Sequence, residues 1–283
     1  MYSLHRGSLA AKIAVYFLLA LYVIVTFAPL YWIFSATFKS PGEIQRFPPT
    51  LIPERMTLEN LVKVFTNSRV FGARPFLNSL VISLGGAGLT AVLGFLGGYG
   101  FARFRFPGRD GLLLVMLFIN LIPRHATIIP IFRMFSFYGL YDTYLGLVLL
   151  HGVIVAPFAA WLMKGYIDTI PVELDESAMM DGCSRRGAMG KIILPLAAPG
   201  IAAIAVFGFR EAWNDFTMAL ILTMSAEIRP YTLALYRFVG EQGQVEWNLI
   251  AAATFISIVP VLVAFGVFQK YFVTGLTGGA IKG

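Results

Sequence analysis

The sequence predicts an all-α integral membrane protein with six spanning helices, and three observations carry that prediction. Apolar residues make up 58% of the 283 and charged residues only 13%, where soluble domains carry roughly 45–50% and about 25%. The apolar residues gather into stretches of the length, about 20 residues, that crosses a hydrocarbon core. Within each stretch they run continuously instead of alternating, which fits helices that satisfy their own backbone hydrogen bonds in lipid and does not fit a barrel.

Six stretches qualify: 13–38, 76–101, 111–135, 143–163, 197–222 and 249–268. The first is too long for the core of a signal peptide and no small-x-small site follows it, so it reads as a retained span after a short segment, 1–12. A connection at 39–75 carries Pro41, Pro48, Pro49 and Pro53, then Leu58, Leu61, Val62 and Phe65 at helical spacing. It predicts an extended stretch followed by an amphipathic helix on the outer surface. The second span is crowded with glycine, and Gly94 with Gly98 forms a small-xxx-small pair suited to close helix packing. No lysine or strand pattern accompanies these glycines, so they do not read as a nucleotide loop. The third and fifth spans are the least clean.

Orientation follows from the short loops. Arg103, Arg105 and Arg109 crowd a turn around Pro107 and Gly108, and such a basic turn is retained on the cytoplasmic side. Counting spans from there puts both termini in the cytoplasm. The longest inside loop is then 164–199, and 39–75, 138–142 and 223–248 lie outside. No internal repeat is visible, so any two-fold symmetry must come from a second chain.

The formal charge of +7 sits between apolar blocks, which suits a membrane surface better than a nucleic acid. The lone Cys183 excludes an intramolecular disulfide, and His5, His125 and His151 show no metal-ligand spacing. No nucleophile and base stand at a useful spacing for catalysis.

The most informative segment is 170–199, IPVELDESAMMDGCSRRGAMGKIILPLAAP. Pro171 suits a first helical turn, and Glu173, Asp175 and Glu176 put negative charge at the positive end of the helix dipole. Gly182 can take the left-handed conformation that ends this helix, and Ser184 can cap a second. Val172, Leu174, Ala178 and Met179 give the first helix an apolar side in a polar loop. Two readings fit: a knob that docks in a groove on a soluble partner, or a helix lying on the membrane interface.

Glu176, Ser177 and Ala178, then Gly182, then Ile192, Leu194 and Pro195 resemble the EAA loop of binding-protein-dependent ABC importer permeases, EAA-x3-G-x9-I-x-L-P. Every spacing matches, and Ser177 for the middle alanine is the one departure. Asn78-Ser79-Leu80, Ala102 to Phe106, Ile129-Pro130, Trp213 to Phe216 and the tail from Gly275 to Gly283 extend the similarity over nearly the whole chain, toward the maltose-type carbohydrate branch. The resemblance implies the type I permease fold, a six-helix domain at 13–275 and a tail at 276–283, in a bacterial inner membrane. It implies that Glu176, Ser177, Ala178, Met179, Asp181, Gly182, Ile192, Leu194 and Pro195 couple to a cytoplasmic ATPase, and that Leu276 and Lys282 are a second contact. The implied partners are a second permease in a heterodimer, two copies of the ATPase, an extracytoplasmic binding protein and a sugar. The chain is then no enzyme. It has no GxxxxGK[ST] loop, so ATP and Mg2+ belong to the ATPase.

Polar residues within the spans complete the reading. Asn120, Arg124 and His125 surround Pro123 in the third span. A charge at the bilayer centre costs about 2.5–3.5 kcal/mol, which favours facing a pathway; a shifted span that brings Arg124 nearer the surface is the alternative. In the fifth span Arg210 shares a face with Asn214, and Glu211 with Asp215, so an internal ion pair is expected there. Trp213, Asn214 and Asp215 join Asn120, Arg124 and His125 as candidate lining of a translocation pathway. An ion-gradient-driven transporter or channel, with Arg124, Glu211 and Asp215 as its relay, is the competing reading.

Overall fold

A computed structural model describes residues 9–66, 72–241 and 246–280, and for residue 10 and for 237–241 and 268–280 the backbone alone. The described residues form helices and connecting turns, with no strand among them. Four helices are long and apolar enough to cross a membrane: α1 (Leu9–Thr37), α4 (Ala73–Arg103), α7 (Tyr144–Ile167) and α14 (Trp247–Ala280); counting each of two bent helix pairs as one span gives six. The first bent pair coincides with the third sequence stretch. The second, Arg185–Leu196 with Ala198–Asn214, overlaps the fifth stretch only in its second arm, its first arm lying in the expected inside loop 164–199. In the third, α5 (Arg109–Ile119) meets α6 (Ile128–Phe137) at 90° through a 3-10 turn at Arg124–Thr127. Pro123 cannot donate to a continuing helix ladder, and the break falls there.

The chain divides into two compact units, 1–70 with 238–259 and 71–237 with 260–283. In the first, α1 ends at Thr37 and leaves carbonyl groups without intrahelical donors. Asn60 of α3 (Glu59–Thr66) meets them: its Nδ2 donates to Thr37 O and Lys39 O, each at 2.8 Å. Its Oδ1 accepts from Asn248 Nδ2 at 2.8 Å, and both amides are buried. The expected helix after Leu58 exists, but it buries Asn60 and Val64 and leaves Leu58, Val62 and Phe65 exposed. The Thr37 and Lys39 carbonyls, at and just after the end of α1, turn Asn60 inward together with Val64. Lys39 is also buried; its Nζ donates to Thr50 O and lies 4.5 Å from the Trp32 ring centre. α2 (Pro41–Ile44) begins with proline and is capped by Ser40 Oγ, which accepts from Glu43 N.

The second unit is built on α4 packed along α7, with α11 (Ala198–Asn214) against both. Glycine permits this approach. A Cβ on Gly94 would lie 2.7 Å from Ala159 Cβ, and one on Gly98 2.4 Å from Met163 Cβ, which bears out the close-packing reading of that pair. Phe95, Tyr99, Ala159, Met163, Ile167, Ile193, Ala197 and Ile204 form one buried cluster. At the opposite end, Asn78 Nδ2 donates to Glu227 O and Arg229 O, each at 2.9 Å, while its Oδ1 accepts from Tyr144 OH at 2.7 Å. Ser79 Oγ accepts from Tyr231 N at 2.8 Å. These bonds tie the first turns of α4 and α7 to the segment before α13 (Tyr231–Glu241).

Candidate functional site

Beyond Ile167 the chain leaves α7, and α8 (Glu173–Met180) starts two residues after Pro171 with three acids in its first turn. It stops where the sequence predicts. Gly182 takes φ +87°, its N–H bonds Met179 O at 3.1 Å, and Cys183 N bonds Ala178 O at 3.0 Å. This is the paired closure that a left-handed glycine allows. Ser184 Oγ then accepts from Gly187 N at 3.2 Å and caps α9 (Arg185–Ala188). The chain continues through a π turn at Met189–Ile193 and α10 (Leu194–Leu196), and bends by 75° into α11. Helix, turn, helix is the expected motif, and it forms.

A buried ion pair fixes α8. Arg103, the last residue of α4, donates from Nε to Asp175 Oδ2 at 2.6 Å, and both side chains are 6% exposed. Its remaining donors reach the end of α7: Nη1 to Ile167 O at 3.3 Å and Nη2 to Ile170 O at 2.8 Å. Tyr99 OH donates to Asp175 Oδ1 at 3.4 Å. The sequence suggests loop charge for Arg103 and a helix-dipole role for Asp175; the structure makes them partners. Spacing within α8 could not reveal this partner, which lies 72 positions away on another helix.

With Asp175 and Ala178 turned inward, Glu173, Glu176, Ser177 and Met180 form the exposed face of α8. The apolar side expected from Val172, Leu174, Ala178 and Met179 is therefore split: Ala178 is 4% exposed and packs inward, while Val172, Leu174 and Met180 are exposed. Helical spacing puts Ala178 beside Asp175, and the ion pair carries both into the unit. Asp181, Leu194 and Pro195 are exposed, Met179 and Ile192 half-buried, and Ile193 fully buried. α14 continues as a helix through position 276 to Ala280; the Leu276 side chain and all of Lys282 lie outside the described residues.

The polar residues of the third and fifth stretches meet in part. Arg124, in the 3-10 turn, pairs with Glu211 of α11. The expected partner Arg210 is not the one used, because the 90° break swings Arg124 toward α11. Asp215 ends α11 and its carboxylate accepts from Ala219 N at 2.9 Å and Met218 N at 3.4 Å, which caps α12 (Thr217–Leu222). His151 of α7, buried, brings Nε2 to 3.8 Å from Asp215 Oδ2. Its position within an apolar span gave no partner by spacing, so the sequence could not reveal it. Asn120 and His125 are exposed, and Asn214 donates to Arg210 O at 2.9 Å. Trp213 departs from a pathway lining: it is 2% exposed, stacked on Phe209 at 5.7 Å and edge-on to Phe76 at 5.6 Å.

Residues 91–278 match the family described as binding-protein-dependent transport system inner membrane component. The chain is 32% identical over 277 residues to the inner membrane ABC transporter permease protein YcjP of Escherichia coli (strain K12), covering 96% of this chain and 97% of that protein. It is 32% identical over 255 residues to the diacetylchitobiose uptake system permease protein DasC of Streptomyces coelicolor, covering 90% of this chain and 91% of that one. Among solved structures, a chain of a bacterial ABC transporter involved in the import of the acidic polysaccharide alginate matches its fold with a TM-score of 0.81, at 24% identity, over 96% of this chain and 99% of the other.

Proposed function

The chain belongs to the family of binding-protein-dependent transport system inner membrane components, and from that premise we propose how it works and what it carries. It is the membrane permease subunit of an ABC importer, it resides in the inner membrane, and ATP hydrolysis belongs to a separate subunit. It acts with partner subunits. The ion-gradient reading therefore gives way to ATP-driven import.

The exposed face of α8 docks in a groove of a cytoplasmic ATPase subunit, with Glu176 toward a basic residue of that subunit. Two such subunits bind ATP and Mg2+, and a second permease completes the pair. The observation that carries this reading is the presentation of Glu173, Glu176 and Ser177 on a short helix that a buried ion pair holds against the spans. A helix merely lying on a membrane interface would turn apolar residues to lipid and acids to water; here the exposed acids share their face with Met180. The cytoplasm holds both termini, and a binding protein delivers solute at the end marked by Asn78 and Tyr144.

The solute is a sugar or oligosaccharide, a reading supported by the sugar named for the diacetylchitobiose relative. The Arg124–Glu211 pair borders its route. The test is uptake of radiolabelled oligosaccharides by cells carrying Glu176→Lys. Transport is abolished while the ATPase still co-purifies with the tagged chain; unimpaired uptake refutes the docking.

A further inference from the structure

Resting on the reading that α8 docks on an ATPase, we infer that Arg103 and Asp175 are positioning residues that make α8 one rigid body with α4 and α7. The coupling stroke then enters the spans through this joint as well as along the loop. Three observations carry the inference. The guanidinium is used in three directions at once: toward α8 through Asp175, and toward the two backbone carbonyls, Ile167 O and Ile170 O, where α7 ends. Asp175 in turn uses both oxygens, on Arg103 and on Tyr99 OH, so α4 holds it at two points one helical turn apart. Both charges are almost fully buried. A buried charge that loses its partner is strongly unfavourable, so the pair resists parting under load.

The far arm of the loop agrees with this assignment. Ile193, at the end of the π turn, is fully buried in the same cluster as Tyr99, Met163 and Ile167. Both arms of the loop thus close on one core. Between them α9 is held as well: Ala188 is buried, and the Arg185 guanidinium lies 5.0 Å from the ring centre of Phe104, the residue after α4. A guanidinium is suited to such a joint because its donors are fixed in one plane, whereas an ammonium would act as a point charge and satisfy one direction at a time.

The experiment uses the complex purified through a tag on this chain, with Cys183→Ser and spin labels at Glu173→Cys in α8 and Leu145→Cys in the first turn of α7. Both of these positions are exposed. Distances are read by electron–electron resonance without nucleotide and after trapping with ATP and vanadate. With Arg103 and Asp175 in place a single narrow distance, the same in both states, is expected. Asp175→Asn loses the narrow peak. Arg103→Lys keeps the charge but not the two carbonyl bonds, and is expected to broaden the peak as well; it decides the matter if Asp175→Asn fails to assemble. A narrow peak retained in the assembled variants, or a wild-type distance that shifts between states, overturns the inference. Cross-linking from Ser177→Cys to the ATPase, run in parallel, tests the docking itself: its absence sinks the docking while leaving the distances to judge the joint.

Discussion

Gly98 of α4 stands so near Met163 of α7 that a Cβ on the glycine would lie 2.4 Å from the methionine Cβ and 2.9 Å from Lys164 N. The second of these atoms is backbone and cannot rotate away, so the two helices must separate to admit even a methyl group. Gly98→Ala is expected to destabilise the protein by about 1–3 kcal/mol, the usual range for overpacking. Gly100→Ala is the control: nothing lies within 4 Å of its would-be Cβ, and alanine is the better helix former. Thermal unfolding in detergent compares the two, and a Gly98→Ala protein as stable as Gly100→Ala would contradict the close packing.

Asn78→Leu removes the donor that serves Glu227 O and Arg229 O and the acceptor for Tyr144 OH. A buried polar group left without its partner costs about 1–3 kcal/mol. The loss should appear locally, as faster proteolysis near residue 227 at a concentration of protease that spares the parent protein.

Glu211→Gln is expected to separate stability from transport. Arg124 is 48% exposed and Glu211 22%, so the screened pair contributes at most about 1 kcal/mol and the melting temperature should barely move. Uptake should fall severalfold if the pair borders the solute route. Equal uptake by variant and parent would remove these residues from that route.

A pH dependence follows from Asp142, between α6 and α7. Burial opposes its charge, but hydrogen bonds from Met224 N, Ser225 N and Ser225 Oγ more than offset this and hold its pKa below the ordinary 3.8. The folded state therefore binds the proton less readily than the unfolded chain. Its stabilisation is complete above the unfolded value and is lost as pH falls through the folded one. Asp142→Asn keeps a residue that tolerates the observed φ of 57° and removes the charge. Its melting temperature should fall less steeply below pH 5 than that of the parent, and parallel curves would refute the assignment.

The apolar stretches and the start, stop and second cap of the α8 motif were legible because each depends on local chemistry: apolar run length, a left-handed glycine, a serine cap. The break at Pro123 was not expected, because an apolar run reads as one span whether or not a proline interrupts its hydrogen-bond ladder. Partnerships were not legible. Arg103 with Asp175, Arg124 with Glu211 and His151 with Asp215 join residues 72, 87 and 64 positions apart, and helical spacing orders only neighbours within one helix. The same limit explains α3, whose Asn60 is turned inward, together with Val64, by carbonyls at and just after the end of α1. The burial of Trp213 was not legible either, because a polar neighbourhood in sequence does not determine which way an aromatic ring turns.

The bond between Asn60 and Asn248 has a consequence for biogenesis. A ribosome making this chain from its N-terminus finishes Asn60 long before Asn248 exists, so the acceptor oxygen of the first amide must wait through the synthesis of most of the protein. The hydrogen bonding of the earliest portion is therefore completed only once residue 248 has been made. Nascent chains arrested before residue 248 should leave that portion open to quality-control proteases even when α4 and α7 have already paired.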